Sequence, residues 1–550
     1  MAYVPRRRFL QNSLNAAAGC SATLLLRNSL FAQASPNATT RVYLDTRRAL
    51  PPLDRNIFGS FLEHLGRAIY EGIYDPDSTL ADANGFRKDV ADEIKKIDVP
   101  IVRYPGGNFV SGYHWLDGVG PKKDRPRVVE KAWNSIETNQ FGTDEFMAWC
   151  KLVGTKPLMG LNLGTSTPEM AAALVEYCNI EKGTKWSDLR RSHGIAEPYK
   201  VEYWCLGNEM DGPWQIGHMT ATEYGMKAAD AGRQMHSVDP SLKLIACGSS
   251  TVFMPTYLEW DREVLEHCYS YVDGISLHRY YGNSDETGGD STKYMALNLS
   301  MDRQIAQIEA VCDYVQGRMR SPKKLWLSFD EWNVWYRQRG GDGGKKVAPH
   351  LLEEIYNLED ALLVGGLVNS LIRNSDRVRV ACLAQLVNVI APIMTNSTGM
   401  YRQTIYYPYA WALQYARGAA LNLAVESPAY NVPVSPATNP QADFATLGIG
   451  ATVPYVDVSS TFDKAAGQYS VFLFNRDLSN ARDVELLWED AAPSRVLGSF
   501  TLTGNDLKAS NGFDAPQRVA PKPYDKPSTA NNRTRLQLPP RSYTVLTFAT

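Results

Sequence analysis

From about residue 56 to residue 417 short apolar runs alternate with longer segments of helical periodicity, eight of each, and few architectures accommodate that alternation. The strand candidates are Ile57–Glu63, Ile101–Pro105, Pro157–Asn162, Val201–Asn208, Leu242–Cys247, Gly274–Tyr280, Leu325–Asp330 and Val378–Gln385. Between them fall helical stretches that include Phe86–Ile97, Thr143–Val153, Pro168–Asn179, Thr220–Ser237, Met301–Arg318 and Leu351–Asn374. Strands separated by helices pair in parallel, and eight such units predict an α/β fold, a (β/α)8 TIM barrel with loop insertions over residues 56–417.

The character changes over residues 418–550, where long helical periods give way to short strands bounded by Asn, Asp, Gly and Pro. Tyr455–Thr461, Tyr469–Phe474, Val484–Trp488, Val496–Leu502, Thr534–Leu538 and Ser542–Phe548 predict a C-terminal β-sandwich, jelly-roll-like in layout. Residues 35–55 contain the run Arg41–Asp45, which offers that sandwich an N-terminal strand. Asn511–Asn532, rich in Pro, Lys, Asn and Asp, reads as a long surface loop.

Residues 1–34 read as an address. Arg6-Arg7-Arg8-Phe9-Leu10 precedes an apolar stretch from Ala16 to Leu26, and Ala32-Gln33-Ala34 offers a small-residue cleavage site before Ser35. The order resembles a twin-arginine export signal and predicts a periplasmic or extracellular protein. Gly19-Cys20 offers lipoprotein processing as the alternative, although Ala17 stands where a larger aliphatic belongs and Leu24-Leu25-Leu26 would fall after the cut.

With 57 basic against 59 acidic side chains the chain carries no global basic field, so neither nucleic acid nor an anionic membrane is an expected partner. No long uncharged apolar run follows residue 34, so no membrane span is expected. Beyond Cys20, the cysteines Cys150, Cys178, Cys205, Cys247, Cys268, Cys312 and Cys382 are widely spaced and several sit in apolar runs, which predicts buried free thiols. With no C-x-x-C pair, no H-E-x-x-H and no G-x-G-x-x-G, the sequence calls for no metal and no cofactor.

Active sites of such barrels lie at the C-terminal ends of the strands, and here those ends are unusually polar. They read Glu63-His64, Arg103-Tyr104-Pro105-Gly106-Gly107-Asn108, Asn208-Glu209, His278-Arg279-Tyr280, Asp330-Glu331 and Gln385. Gathering Glu63, Glu209 and Glu331 on one rim beside Arg103 and His278 is costly without chemistry to perform, because clustered carboxylates repel and desolvate badly. Two carboxylates facing across a barrel mouth are what glycosidic bond cleavage needs, and Glu209 and Glu331 are the best pair. A gap of about 5–5.5 Å would mean direct attack and retention, and about 6.5–9.5 Å would mean inversion by water. Each residue also has a bland reading. Glu63 beside Arg103 fits a buried ion pair, His278 fits a core histidine, and Gly106-Gly107 fits a tight turn better than a phosphate cradle.

The strings Arg103-Tyr104-Pro105-Gly106-Gly107-Asn108-Phe109, Trp204-Cys205-Leu206-Gly207-Asn208-Glu209-Met210-Asp211-Gly212-Pro213-Trp214-Gln215, Asp330-Glu331-Trp332-Asn333-Val334-Trp335-Tyr336 and Ala384-Gln385-Leu386-Val387-Asn388 resemble glycoside hydrolase family 51 α-L-arabinofuranosidases. The resemblance implies a retaining exo-acting enzyme that removes terminal α-L-arabinofuranosyl groups from arabinan, arabinoxylan or arabino-oligosaccharides, and a homo-oligomer, a hexamer or smaller. It makes Glu209 the general acid/base and Glu331 the nucleophile of a double displacement. It assigns Glu63, Asn108, Asn208 and Gln385 to the sugar hydroxyls, Arg103 and Tyr280 to the nucleophile, His278 to the acid/base, and Trp133 and Trp335 to the subsite walls. A same-fold β-xylosidase or β-glucanase is the alternative. A binding protein with a decayed site fits poorly, since every position is filled by the expected residue type.

Overall fold

The computed structural model describes residues 38–284, 286–337, 345–432 and 452–550; residues 1–34, read above as an address, and Cys20 lie outside the described residues. Eight strands, β1 (Gly59–Phe61), β2 (Ile101–Tyr104), β3 (Lys156–Gly160), β4 (Tyr203–Leu206), β5 (Lys243–Ala246), β6 (Gly274–Tyr281), β7 (Trp326–Val334) and β8 (Val378–Ala384), form a closed barrel in sequence order. All pairings are parallel, and β8 closes on β1 through Cys382–Gly59, Leu383–Ser60 and Ala384–Phe61. A helix follows each strand: Lys88–Ile97, Thr143–Val153, Pro168–Asn179, Ala221–Val238, Glu259–Cys268, Asn298–Met319, Leu358–Arg373 and Tyr406–Tyr415.

The strand residues divide by the two-residue period of the pleat. Phe61, Ile101, Leu158, Cys205, Ile245, Val380, Cys382 and Ala384 form one buried cluster, the layer that fills the lumen. Alternate residues such as Val102, Tyr104, Met159, Trp204 and Leu244 belong instead to the larger cluster shared with the helices. All seven cysteines among the described residues are buried and unpaired. No helix of the described residues is long and apolar enough to cross a membrane.

Two elements differ from the sequence expectation. The helix before β8 begins at Leu358 rather than Leu351: Leu352 sits at φ 52°, a left-handed backbone no helix carries, and Asn357 and Asp360 cap each other's backbone N–H groups. Strand β7 runs past Asp330 to Val334, and it holds one residue more than either neighbour across its middle. Ser276 and His278 of β6 oppose Ser328 and Glu331, and Ala381 and Leu383 of β8 oppose Phe329 and Trp332. This bulge breaks the in-out alternation, so the consecutive Asp330 and Glu331 both turn toward the barrel axis.

The C-terminal region is β-rich, and its described residues include a five-stranded and a seven-stranded sheet. Thr40–Leu44 lies in the five-stranded sheet, parallel to Arg482–Trp488 and antiparallel to Ala424–Glu426. The seven-stranded sheet packs on helix Leu358–Arg373, where a Cβ on Gly365 would come within 2.5 Å of the Tyr543 ring, so the glycine permits the close approach. The segment expected as a long surface loop, 511–532, is largely exposed and anchored at a few points. Asn511 donates to the Arg402 carbonyl and exchanges hydrogen bonds with the Val519 backbone, and Lys522–Pro523 and Thr529–Ala530 add short strands.

Barrel and sheets are joined through buried Asp457, which accepts hydrogen bonds from Arg373, Arg476, Asn298 and Asn369. Burial opposes its charge, but the two guanidinium groups hold its carboxyl well below the usual range. A carboxyl depressed in this way stabilises the fold above its unfolded value near pH 4, and that contribution is lost as the pH falls. Asp457→Ala leaves Arg476 without its carboxylate and Arg373 with Asp302 alone, and is expected to destabilise the chain by about 3–5 kcal/mol. Urea denaturation read by tryptophan fluorescence checks this; an unshifted midpoint would show that Asp457 does not hold the two parts together.

Candidate active site

The strand ends converge on one mouth, and the bulge in β7 decides what faces it. Glu331 is 5% exposed and both its oxygens are held: Oε1 accepts from Arg103 Nη1 at 2.6 Å and Oε2 from the Tyr280 hydroxyl at 2.7 Å. Arg103 stands inside the barrel above the Phe61 ring, its guanidinium carbon 4.7 Å from the ring centroid, and also pairs with Asp330 at 3.5 Å and donates to Asn208 Oδ1 at 2.8 Å. Asp330 accepts from Ser276 Oγ at 2.5 Å and lies 3.3 Å from His278 Nε2.

Glu209 enters from the opposite wall on the turn that follows β4. Its φ is 44°, reached after Gly207 at φ 102°, and Gly212 N–H closes the turn on the Glu209 carbonyl at 2.9 Å. Left-handed backbone at a glutamate is strained, and the neighbouring Asp211 secures it by accepting from Ser249 and Ser250. Glu209 Oε1 meets His278 Nδ1 at 3.0 Å, and Oε2 accepts from the Trp214 indole N–H at 2.7 Å. One oxygen of each glutamate and a ring nitrogen of His278 lie within 4.8 Å of one another. That spacing matches the closer of the two glycosidase geometries, about 5–5.5 Å, and falls short of the about 6.5–9.5 Å at which a water, not the carboxylate, attacks the sugar.

Beside this pair the structure assembles a polar wall. Glu63 Oε1 accepts from Phe109 N–H and from Trp133 Nε1, both at 2.9 Å, while Glu63 N–H donates to Gln385 Oε1 at 2.9 Å. A Cβ on Gly107 would stand 2.6 Å from Glu63 Oε2, so Gly106-Gly107 is the tight turn that admits this carboxylate. Asn208 reaches Gln215 and Asn108 at 3.3 and 3.5 Å. Trp335 packs edge-on against Tyr280, with ring centroids 5.4 Å apart. All eleven residues singled out in the sequence thus belong to one connected cluster. Glu63 is not the ion-pair partner of Arg103, whose partners are Asp330 and Glu331. His278 is no mere core histidine, because it spans Glu209 and Asp330.

Burial raises the Glu209 carboxyl above the ordinary glutamate range; the His278 hydrogen bond opposes that and the charge of Glu331 adds to it. Burial also pushes Glu63 up to about 8, against the hydrogen bonds from Phe109 and Trp133. Asp330 goes the other way: Arg103 and His278 overcome its burial and hold it at about 2. Burial disfavours the His278 imidazolium, yet Glu331, Asp330 and Glu209 carry it to about 10. The cations Arg103 and His278 therefore balance the anions Asp330 and Glu331, and a proton on Glu209 leaves the group neutral. Glu209, His278 and Glu331 have the mutual spacing of a cation site, but with His278 protonated and Arg103 on Glu331 the field there opposes a divalent ion.

Sequence reading passed over Trp214, Asp211 and Asp330 as site residues. Trp214 and Asp211 stand in the quoted string around Glu209, where nothing in the residue order says which way they point. Asp330 was legible as a strand end, whereas its turn toward the axis depends on the bulge.

A family model described as the α-L-arabinofuranosidase 1 domain matches residues 93–296, and one described as the α-L-arabinofuranosidase C-terminal domain matches residues 330–542. Among curated proteins, an intracellular exo-α-(1→5)-L-arabinofuranosidase from Bacillus subtilis is 46% identical over 92% of this chain and 98% of its own length. One of the same name from Acetivibrio thermocellus is 44% identical over 89% of this chain and 95% of its own. The solved structure of a family 51 α-L-arabinofuranosidase from Bifidobacterium longum superposes with a TM-score of 0.86 at 36% identity, covering 92% of this chain and 99% of that one. These relatives overturn the export expectation drawn from residues 1–34: both curated proteins are named as intracellular. An Arg-rich start, an apolar stretch and a small-residue triplet are individually common, so their order alone was weak warrant for an address.

If the charge of Glu331 helps hold the proton on Glu209, then Glu331→Gln lowers the Glu209 titration midpoint. Carboxyl 13C NMR across a pH series reads this directly, and an unmoved Glu209 resonance would separate the two groups.

Proposed function

The chain belongs to family 51 of the α-L-arabinofuranosidases, and from that membership we propose how its own residues carry the reaction. It is a retaining exo-α-L-arabinofuranosidase, and the β-xylosidase or β-glucanase alternative is not favoured. The observation that supports the division of labour is the unlike setting of the two glutamates. Glu331 accepts from a guanidinium and a phenol on its two oxygens, whereas burial and the nearby Glu331 raise the Glu209 carboxyl above the ordinary glutamate range.

In the first step Glu331 attacks the anomeric carbon, the glycosidic C–O bond breaks, and Glu209 gives its proton to the departing oxygen. The product is an arabinosyl ester on Glu331. Esterification removes the negative charge that kept Glu209 protonated, so Glu209 becomes a base. It then takes a proton from water as the water attacks the anomeric carbon, and Glu331 leaves as carboxylate. Two inversions give net retention. His278, fixed by Asp330, keeps Glu209 aimed through its contact with Oε1. Glu63, Asn108, Asn208 and Gln385 meet the sugar hydroxyls, with Glu63 protonated at neutral pH and able to donate. Trp133 and Trp335 close the walls of the subsite.

The substrate class is terminal α-L-arabinofuranosyl groups of arabinan, arabinoxylan or arabino-oligosaccharides, with α-(1→5) links favoured by the names of the relatives. A homo-oligomer, a hexamer or smaller, is proposed as well, on the family resemblance. Light scattering on the full chain is expected to give a multiple of the 61.2 kDa protomer mass, and a monomer would overturn this.

Glu209→Ala is expected to lower kcat/KM on arabino-oligosaccharides by about 10²–10⁴-fold. On an activated aryl arabinofuranoside azide should restore turnover and yield the α-configured arabinosyl azide, identified by NMR. A β-configured azide, or an unaltered rate without azide, would remove Glu209 from its role.

A further inference from the structure

Asp261 lies in the first turn of helix Glu259–Cys268, completely buried, and the double displacement gives it nothing to do. Both its oxygens accept from backbone: Oδ1 from Ser249 N–H at 3.0 Å and Oδ2 from Leu258 N–H at 3.1 Å. Burial pushes its carboxyl up to about 7 against those hydrogen bonds, so the fold keeps an acid where an acid is unfavourable. The chain beyond β5 is shaped to pass it closely. A Cβ on Gly248 would stand 2.1 Å from the Ser276 carbonyl oxygen and 2.7 Å from Asp261 Oδ1, so only glycine fits between them.

Ser249 is where this acid meets the active site. Its N–H goes to Asp261, while its hydroxyl donates to Asp211 Oδ2 at 2.7 Å. The next residue adds Ser250 N–H, which donates to Asp211 Oδ1 at 3.0 Å. Asp211 belongs to the turn whose left-handed residue is Glu209. Two other ties of that turn are internal to it. Gly212 N–H closes on the Glu209 carbonyl, and the Trp214 indole, which donates to Glu209, lies where a Cβ on Gly212 would stand. Ties of that kind let a strained turn shift as a unit. Asp211 instead fixes its backbone to the end of β5, and Asp261 fixes that end to a helix.

We propose that Asp261 is a positioning residue for proton transfer: through Ser249 it sets where Asp211 holds the turn, and so where Glu209 presents its proton to the leaving oxygen. The inference rests on the arabinofuranosidase reading above. Its effect falls on the acid/base and not on the nucleophile, because Glu331 is placed by Arg103 and Tyr280 from other strands. A reacting group displaced by a fraction of its contact distance loses much of its catalytic effect.

The test separates the two glutamates by leaving group. Because kcat/KM reports the first step, methyl α-L-arabinofuranoside tests protonation by Glu209, whereas the 2,4-dinitrophenyl glycoside departs without a proton. The ratio of the two constants cancels any loss of folded enzyme. In Asp261→Ala and in Ser249→Ala, kcat/KM for the methyl glycoside is expected to fall about tenfold relative to the dinitrophenyl one. On the dinitrophenyl glycoside kcat and KM should fall together, since the second step still needs Glu209 as a base. Ser249→Ala removes only the link between the two acids, so it decides the matter even where Asp261→Ala folds poorly. An unchanged ratio in Ser249→Ala, or equal losses on both substrates in either variant, overturns the proposal. Failure of the wild-type chain to cleave either arabinofuranoside would instead overturn the functional reading on which it rests.

Discussion

A guanidinium buried inside a barrel of apolar strands is the constraint from which the rest of this site follows. Arg103 is 1% exposed, and a charge so placed is tolerable only if the protein surrounds it with partners. The partners are Asp330 below, Glu331 above and Asn208 to the side, and each is thereby fixed in position. Glu331 is itself one of the two reacting carboxylates, and Asp330 reaches the other through His278. The energy that orders the nucleophile is thus the same energy that makes the cation bearable, and neither can be altered alone.

Asp330 extends this order across the mouth. By remaining ionised at about 2 it supports an imidazolium on His278, and His278 aims Glu209. The chain of contacts from Arg103 through Asp330 and His278 to Glu209 joins the two reacting carboxylates through the floor of the barrel as well as across its opening. A single backbone irregularity makes this possible. Without the extra residue in β7, Asp330 and Glu331 would point to opposite faces of the strand, and one of them would be lost to the helix layer.

The strain at Glu209 has a comparable logic. A left-handed backbone lifts the acid/base off the end of β4 toward the opening, and the turn that holds it is tied down at Asp211 and Gly212. The same turn delivers Trp214 to the outer oxygen of Glu209, so the acid/base and the indole that donates to it are carried on one short segment.

Much of this was legible before any coordinates. Eight βα alternations dictated the barrel, because parallel strands joined by helices have few ways to bury both faces, and all eight strands lie where hydrophobic periodicity put them, to within a few residues. Barrel geometry then made the polar strand ends Glu63, Arg103, Glu209, His278 and Glu331 the place to look. The error at the start of helix Leu358–Arg373 came from apolar residues continuing beyond a cap that periodicity does not see, and the export reading of residues 1–34 came from short signals with little physical content. What residue order could not decide was direction. Periodicity assigns alternate residues to alternate faces, so it could not bring Asp330 and Glu331 to one side; it left an ion pair with Arg103 open for Glu63 beside a place at the sugar hydroxyls; and it was silent about Trp214. Those outcomes depend on a bulge, on which of three acids the buried cation reaches, and on a glycine without a Cβ, all of which arise only when the strands close on one another. The sequence determined which residues meet at the mouth of the barrel, and only the tertiary structure decided which of them touch.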